Sequence, residues 1–409
     1  MPVNYTPRRP EQLRPVRGVA LGTAAARIKN WSRDDLLLAA LVPGSVAAGV
    51  FTRNRFCAAP VTVCREHLAR RDAVRAFVVN AGNANAGTGA KGLADVRAIC
   101  AAVGAAVGCE AHEVLPFSTG VIMEALPIER MLAAIPACRS NLGEDHWDVA
   151  ARTIMTTDTV PKAASRCVLV NGVELTMTGI AKGSGMIAPN MATLLAFVAT
   201  DAPLSRDLLD ELAPEIAAQS FNRITVDGDT STNDSFVLVA TRVAAMPPIE
   251  RRDDPRLAPV RDALAEIAAE LAQAIVRDGE GATKFITLVV EGGRDLDECD
   301  RVARSIAHSP LVKTAFFASD PNLGRILSAI GNAGIADLDP LRVSFWLDDV
   351  RVVANGGRAS SYREEDGKRV MAKPEIAVHV ALGRGKASAT LWTCDLSHGY
   401  VSINADYRS

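Results

Sequence analysis

Several features that would narrow a function quickly are scarce in this sequence. Aromatic residues make up only 5% of the 409 positions, so a core must be filled mainly by Ala, Val, Leu and Ile. The formal net charge of -2 offers no basic footprint for nucleic acid or an anionic membrane, and small-molecule or protein partners are expected instead. Eight cysteines (Cys57, Cys64, Cys100, Cys109, Cys138, Cys167, Cys299 and Cys394) form no Cys-x-x-Cys pair. They read as reduced thiols in small core positions rather than a disulfide framework. His112-Glu113 has no second histidine at helical spacing, and no metal site is expected. The longest apolar stretch, Leu36 to Phe51, is broken at Pro43-Gly44-Ser45 by a turn between two short strands, so nothing in it spans a bilayer. Arg8, Arg9 and Arg14 stand between prolines with no apolar run behind them, which argues against a secretory signal. A cytoplasmic location is expected.

Familiar catalytic patterns are missing as well. Ser184 in Lys182-Gly-Ser-Gly-Met186 has its glycines too close for a nucleophile elbow, and no Ser-x-x-Lys occurs. Gly87-x-Gly89-x-x-Gly92 has dinucleotide-fingerprint spacing, but an Asn-rich hexapeptide separates it from the preceding strand. It reads as a turn leading into a helix N-terminus. Asp227-Gly-Asp229-Thr-Ser-Thr-Asn233-Asp234 lacks the Gly and Glu of a calcium loop, and its side chains are expected either to brace a turn or to order an active-site wall through hydrogen bonds to backbone.

What is present is an interspersed α/β pattern. Val168–Val170 and Val173–Met177 flank Asn171-Gly172, a strong hairpin turn. Short buried-strand runs occur at 194–199, 236–240, 285–290 and 343–347. Helical periodicity covers 95–107, 206–220, 261–277 (closing at Gly279), 298–307 and 323–330. Hairpins among the helices favour mixed or antiparallel sheets covered by helices over a purely parallel sheet. Met246 to Pro259, proline-rich and charged, reads as a surface insertion or a boundary.

One junction carries chemistry. A glycine-rich loop containing Lys182 leads to Thr193, which opens a buried apolar strand. Composition alone makes Thr193 an ordinary first strand residue. Cleavage of the Ala192-Thr193 bond would instead give the threonine an α-amine with a pKa of about 7.7–8.0, a base suited to activating its own hydroxyl.

Seven stretches in order are similar to the ornithine acetyltransferase (glutamate N-acetyltransferase) family. They are Phe117-Ser-Thr119-Gly120-Val-Ile; Ile154-Met-Thr156-Thr-Asp-Thr159; Lys182-Gly-Ser-Gly-Met with Asn190-Met-Ala192-Thr193-Leu-Leu; and Val226 to Asp234. Asp278-Gly-Glu280-Gly-Ala-Thr, Asp320-Pro-Asn-Leu-Gly-Arg325 and Tyr400-Val-Ser-Ile-Asn404-Ala-Asp-Tyr-Arg-Ser409 complete the set.

The resemblance implies an α/β fold, a layered α/β/β/α sandwich of mixed sheets like that of self-cleaving aminopeptidases. It implies self-cleavage into an α chain (1–192) and a β chain (193–409) held in one intertwined unit, with two of each in a heterotetramer. Thr193 would be the nucleophile and, through its amine, the base. Thr119 and Gly120 would form the oxyanion hole, and Thr156, Lys182, Thr193, Glu280, Asn404 and Ser409 would contact substrate. Many relatives end in Thr where this chain has Ser409, a mild departure. The implied reaction moves acetyl from N-acetylornithine to glutamate, giving ornithine and N-acetylglutamate in cyclic arginine biosynthesis. No cofactor is implied. Some members also take acetyl-CoA as a co-substrate, and no CoA-specific motif decides that here. A self-cleaving N-terminal-nucleophile amidohydrolase or aminopeptidase, with water as acceptor, and a non-catalytic binding protein are the alternatives.

Overall fold

Alternation of side chains along each strand decides the layering of this protein. The computed structural model describes residues 1–188 and 194–406. In chain order β1 (Val19–Ala24), β2 (Leu36–Leu41), β3 (Val46–Phe51), α1 (Ala59–Ala69), β4 (Ala76–Asn83) and α2 (Gly89–Val107) come first. There follow β5 (Val114–Val121), α3 (Ile128–Ser140), α4 (Trp147–Thr153), β6 (Lys162–Val170), β7 (Val173–Lys182), β8 (Leu195–Thr200), α5 (Arg206–Gln219), β9 (Ser235–Ala240) and α6 (Leu257–Arg277). The chain closes with β10 (Phe285–Gly293), α7 (Leu296–Ala307), α8 (Pro310–Phe317), α9 (Gly324–Gly331), β11 (Ser344–Leu347), β12 (Val350–Ala354), β13 (Gly357–Arg358), α10 (Glu364–Met371), β14 (Glu375–Ala381), β15 (Ala387–Cys394) and α11 (His398–Ala405).

Two sheets face each other. One has the order β1-β2-β4-β5 and the other β3-β9-β8-β7-β6. Their facing sides share a core: Leu37, Phe77 and Phe117 from the first meet Ile180, Phe197 and Val239 from the second. Three of the scarce aromatics sit in this seam, with Phe117 and Phe197 edge to face at 4.8 Å between ring centroids. The intervening residues turn the other way. Leu38 and Val78 pack under α2 and α3, while Val198 and Phe236 pack under α5 and α6. The result is the expected α/β/β/α sandwich of mixed sheets, since β4–β5 and β8–β9 run parallel among antiparallel neighbours.

The Asn171-Gly172 turn closes β6 on β7 as read from the sequence, with φ of 51° and 82° at the two positions. The break at Pro43-Gly44-Ser45 does more than reverse the chain. It carries the strand run from one sheet to the other, because β2 and β3 belong to different sheets. The stretch from Met246 to Pro259 is an internal loop, since Ile249 bridges to Leu204 and α6 starts at Leu257. Helix α6 is capped by Asp278, with Gly279 following outside the left-handed region, rather than closing on a left-handed glycine.

A third sheet was not anticipated. Strands in the order β13-β12-β11-β14-β10-β15 pack against α7, α8, α9 and α10 around a separate core that includes Ile286, Ile306, Phe316, Phe345 and Val378. Strands β10 and β15, the first and last of this unit, are antiparallel neighbours with Phe285 opposite Cys394, so the chain enters and leaves at one place. Lys182 at the end of β7 pairs with Leu195 at the start of β8. Strands β7 and β8 are thus antiparallel neighbours in one sheet. Among the described residues no helix is long and apolar enough to cross a membrane.

Candidate active site

Six of the residues named from the sequence line one cavity of about 260 Å³: Thr119, Gly120, Thr156, Lys182, Glu280 and Asn404. Leu194 and Leu195 line it too, so the chain that follows Thr193 reaches this cavity. Ala192, Thr193 and Ser409 lie outside the described residues.

Thr119 and Gly120 lie just before the end of β5, where the parallel ladder with β4 slips at Gly82 and Asn83. Gly120 has φ of 137°, and a Cβ there would stand 2.1 Å from the Gly82 carbonyl carbon. Only glycine fits so close a backbone approach. Thr119 is buried, and its Oγ1 accepts a hydrogen bond of 3.0 Å from Lys182 Nζ. With that oxygen engaged as an acceptor, the hydroxyl proton is left as a donor.

Lys182 closes β7 and is itself buried. Burial, the largest influence, pushes its ammonium below the usual lysine range, and the charge of Asp158 opposes that shift. Among the described residues no carboxylate comes within ion-pair distance of Lys182. Across the cavity Glu280 presses so closely on Gly185 that a Cβ there would meet its carboxyl carbon at 2.3 Å. Asn404 Nδ2 donates to Glu280 Oε2 at 2.7 Å, joining residues from opposite ends of the six-stranded unit. The pairing of β10 with β15 makes this contact.

The acidic loop after Val226 is a wall braced by its own side chains. Asp227 accepts from the backbone N–H groups of Met186 and Ile187 at 2.6 and 2.9 Å, and from Tyr400 Oη at 3.3 Å. Asn233 Nδ2 donates to the carbonyls of Ala84 and Ser118 at 2.6 and 2.9 Å, tying the loop to the ends of β4 and β5 beside Thr119. The Asn/Gly-rich stretch is likewise a turn, in which Asn85 Oδ1 accepts from Thr88 Oγ1 at 2.7 Å just ahead of α2. No group of three or more metal-ligating side chains occurs among the described residues.

Sequence reading passed over Asp158, Lys162 and Asp278, which lie directly behind the cavity wall. It also passed over the 2.8 Å contact of Thr157 Oγ1 with Ser184 Oγ. The signal was there in part, since Asp158 and Asp278 stand within the matched stretches, but only folding reveals that Lys162 joins them.

A profile of the ArgJ family matches residues 20–409. The chain belongs to the ArgJ family. Two relatives, each named Arginine biosynthesis bifunctional protein ArgJ, from Neisseria meningitidis serogroup A strain Z2491 and serogroup B strain MC58, are each 57% identical over 410 residues, covering 100% of both chains. The crystal structure of the arginine biosynthesis bifunctional protein ArgJ from Bacillus halodurans is 36% identical over 51% of this chain and 97% of that one, with a TM-score of 0.49. The family resemblance read from the seven stretches thus holds along the ArgJ-family chain.

Proposed function

We propose that this ArgJ-family chain cleaves itself between Ala192 and Thr193, and then moves acetyl from N-acetylornithine to glutamate through an ester on Thr193. The observation that supports this most directly is the cavity, which gathers residues from 119 to 404 into one wall-to-wall arrangement beside the start of β8.

Thr193 Oγ attacks the acetyl carbonyl carbon and passes its proton to its own α-amine. The oxyanion of the tetrahedral intermediate takes hydrogen bonds from the Gly120 N–H and the Thr119 hydroxyl, whose orientation the Lys182 contact favours. The C–N bond then breaks as the α-amine returns the proton to the departing nitrogen, releasing ornithine. The amine of glutamate attacks the acetyl ester, the acyl C–O bond breaks, and the Thr193 α-amine carries the proton from the attacking nitrogen to Oγ, restoring the Thr193 hydroxyl and giving N-acetylglutamate.

A donor of this kind has a carboxylate and a distal ammonium. Lys182 has no carboxylate of its own in the described protein and suits the first. Glu280, held by Asn404, suits the second. Thr156 lines the same cavity, and Ser409 belongs with this set by family likeness. The cleaved α and β chains stay together because β7 and β8 pair across the cut, and two such units form the proposed heterotetramer.

Intact mass and N-terminal sequencing give the first test: a fragment beginning Thr-Leu-Leu-Ala-Phe is expected, and a chain that stays whole overturns the proposal. The second is ornithine release from N-acetylornithine with and without glutamate. Release that depends on glutamate is expected, and release that ignores it makes water the acceptor. Replacing N-acetylornithine by acetyl-CoA in the same assay separates a single-donor enzyme from a bifunctional one.

A further inference from the structure

Behind the cavity lies a buried ion cluster with no part in the transfer steps above. Lys162, the first residue of β6, has a fully buried side chain, and its Nζ is 2.6 Å from Asp158 Oδ1 and 2.7 Å from Asp278 Oδ2. Both carboxylates hold backbone as well. Asp158 accepts from the N–H groups of Thr156 and Gly183, at 3.0 and 2.7 Å. Asp278 accepts from the Thr159 N–H at 3.0 Å and from its hydroxyl.

Three segments are thereby fixed to one ammonium, and each carries a cavity residue: Thr156, Lys182 (next to Gly183) and Glu280 (two residues past Asp278). Two carboxylates and one ammonium give the cluster a formal charge of one negative, which reaches Lys182 through Asp158. Burial alone would raise the Asp158 carboxyl, but Lys162, then Lys182 and the Gly183 N–H, outweigh it and hold it below the usual range. For Lys162 burial is likewise opposed, by Asp158 and Asp278, and the ammonium is retained. A buried ion cluster is a weak source of net stability, since desolvation offsets attraction. What it supplies is fixed geometry.

We propose that Lys162, Asp158 and Asp278 are positioning residues that set the spacing between Lys182 and Glu280, and so select the length of substrate that fits between a carboxylate site and an ammonium site. This rests on the roles given above to Lys182 and Glu280. Pocket discrimination against one extra methylene is typically about 10- to 200-fold, and a loosened ruler forfeits part of it.

The test compares kcat/KM for N-acetylornithine with that for N-acetyllysine, one methylene longer, in the cleaved full-length enzyme. Asp278→Asn cuts one arm of the cluster. The double variant Lys162→Met with Asp278→Asn keeps the net charge while removing the bridge, so it guards against an outcome in which the single variant fails to fold. The ornithine preference is expected to fall by about 10-fold in both, mostly through KM for N-acetylornithine. A merely structural role lowers both substrates alike and leaves their ratio unchanged, and that result overturns this proposal alone. A wild-type enzyme that transfers acetyl from neither substrate overturns the functional reading together with it.

Discussion

The sandwich and the six-stranded unit obey one packing rule but group their buried charges differently. In the six-stranded unit Ile286, Val302, Phe345, Val378 and Leu391 fill the core, and its buried charges are held apart: Glu298 is answered by Arg384 at 3.0 Å, while Lys313 donates to Thr393 Oγ1 at 3.2 Å. The sandwich instead gathers three charges in one place, with Lys162, Asp158 and Asp278 buried together behind a polar cavity. Such burial costs several kcal/mol per ion unless every partner is placed, so it persists where placement itself is useful. The six-stranded unit serves the site at its root, where β10 and β15 meet and bring Glu280 to Asn404. Chemistry and stability are therefore separable by mutation, and the largest test of that separation is at Thr193.

Thr193→Ala is expected to leave the chain uncut and to lower acetyl transfer by at least about 10⁴-fold, as loss of a nucleophile does. Cleavage in that variant, read by intact mass, would place the scissile bond elsewhere. Gly120→Ala puts a Cβ 2.1 Å from the Gly82 carbonyl carbon and moves the proposed oxyanion donor. A loss of about 10²-fold or more in kcat is expected, and a rate within ten-fold of wild type argues against the Gly120 N–H as donor.

Two stability variants of similar size break the comparison differently. Lys162→Met leaves two buried carboxylates facing each other and is expected to cost about 3–5 kcal/mol together with activity. Phe345→Ala opens a void in the six-stranded core, where the ring is fully buried. It is expected to cost about 3–5 kcal/mol as well, while kcat per correctly folded molecule stays unchanged. Denaturant unfolding paired with titration of active sites distinguishes them. Lost kcat in Phe345→Ala would show that the two units are coupled more tightly than the root contact suggests.

The smallest effect is in pH. Burial, helped by Arg304 and Lys313, pushes His308 down to about 4, below the usual histidine value of 6.5. Between those values the unfolded chain takes up a proton that the folded chain refuses, so stability is full above the upper value and falls as pH drops toward the lower. Wild type is expected to lose about 1 kcal/mol more than His308→Asn between pH 7 and pH 5, after allowing for partial exposure. Equal losses in melts at the two pH values would remove His308 from the account. His308 packs beside Gly228 of the acidic loop, so the same melts report how firmly the unit's helices brace that wall.

Local signals read well where the physics is local. Asn171-Gly172 accepts left-handed backbone and so fixes the β6–β7 hairpin. The acidic loop reads as a braced turn because Asp and Asn side chains bond nearby backbone, as Asp227 does to the Asp229 N–H at 3.2 Å. The six-stranded sheet did not read, because its short strands carry no mark of their partners. Lys162 did not read either: at the head of an ordinary strand it resembles a solvated lysine until Asp158 and Asp278 close on it.

Sequence by itself marked the most strongly patterned strand and helix segments, the Asn171-Gly172 turn and, by the order of seven stretches, the family. Periodicity and turn chemistry act over a few residues, so the chain carries them wherever it goes. Tertiary structure alone decided that β2 and β3 part into different sheets, and that Glu280 meets Asn404. It also decided that one buried lysine ties three walls of the cavity together. Those outcomes depend on which apolar faces bury one another and which charges must be paired when they do, and no stretch of chain holds that information alone.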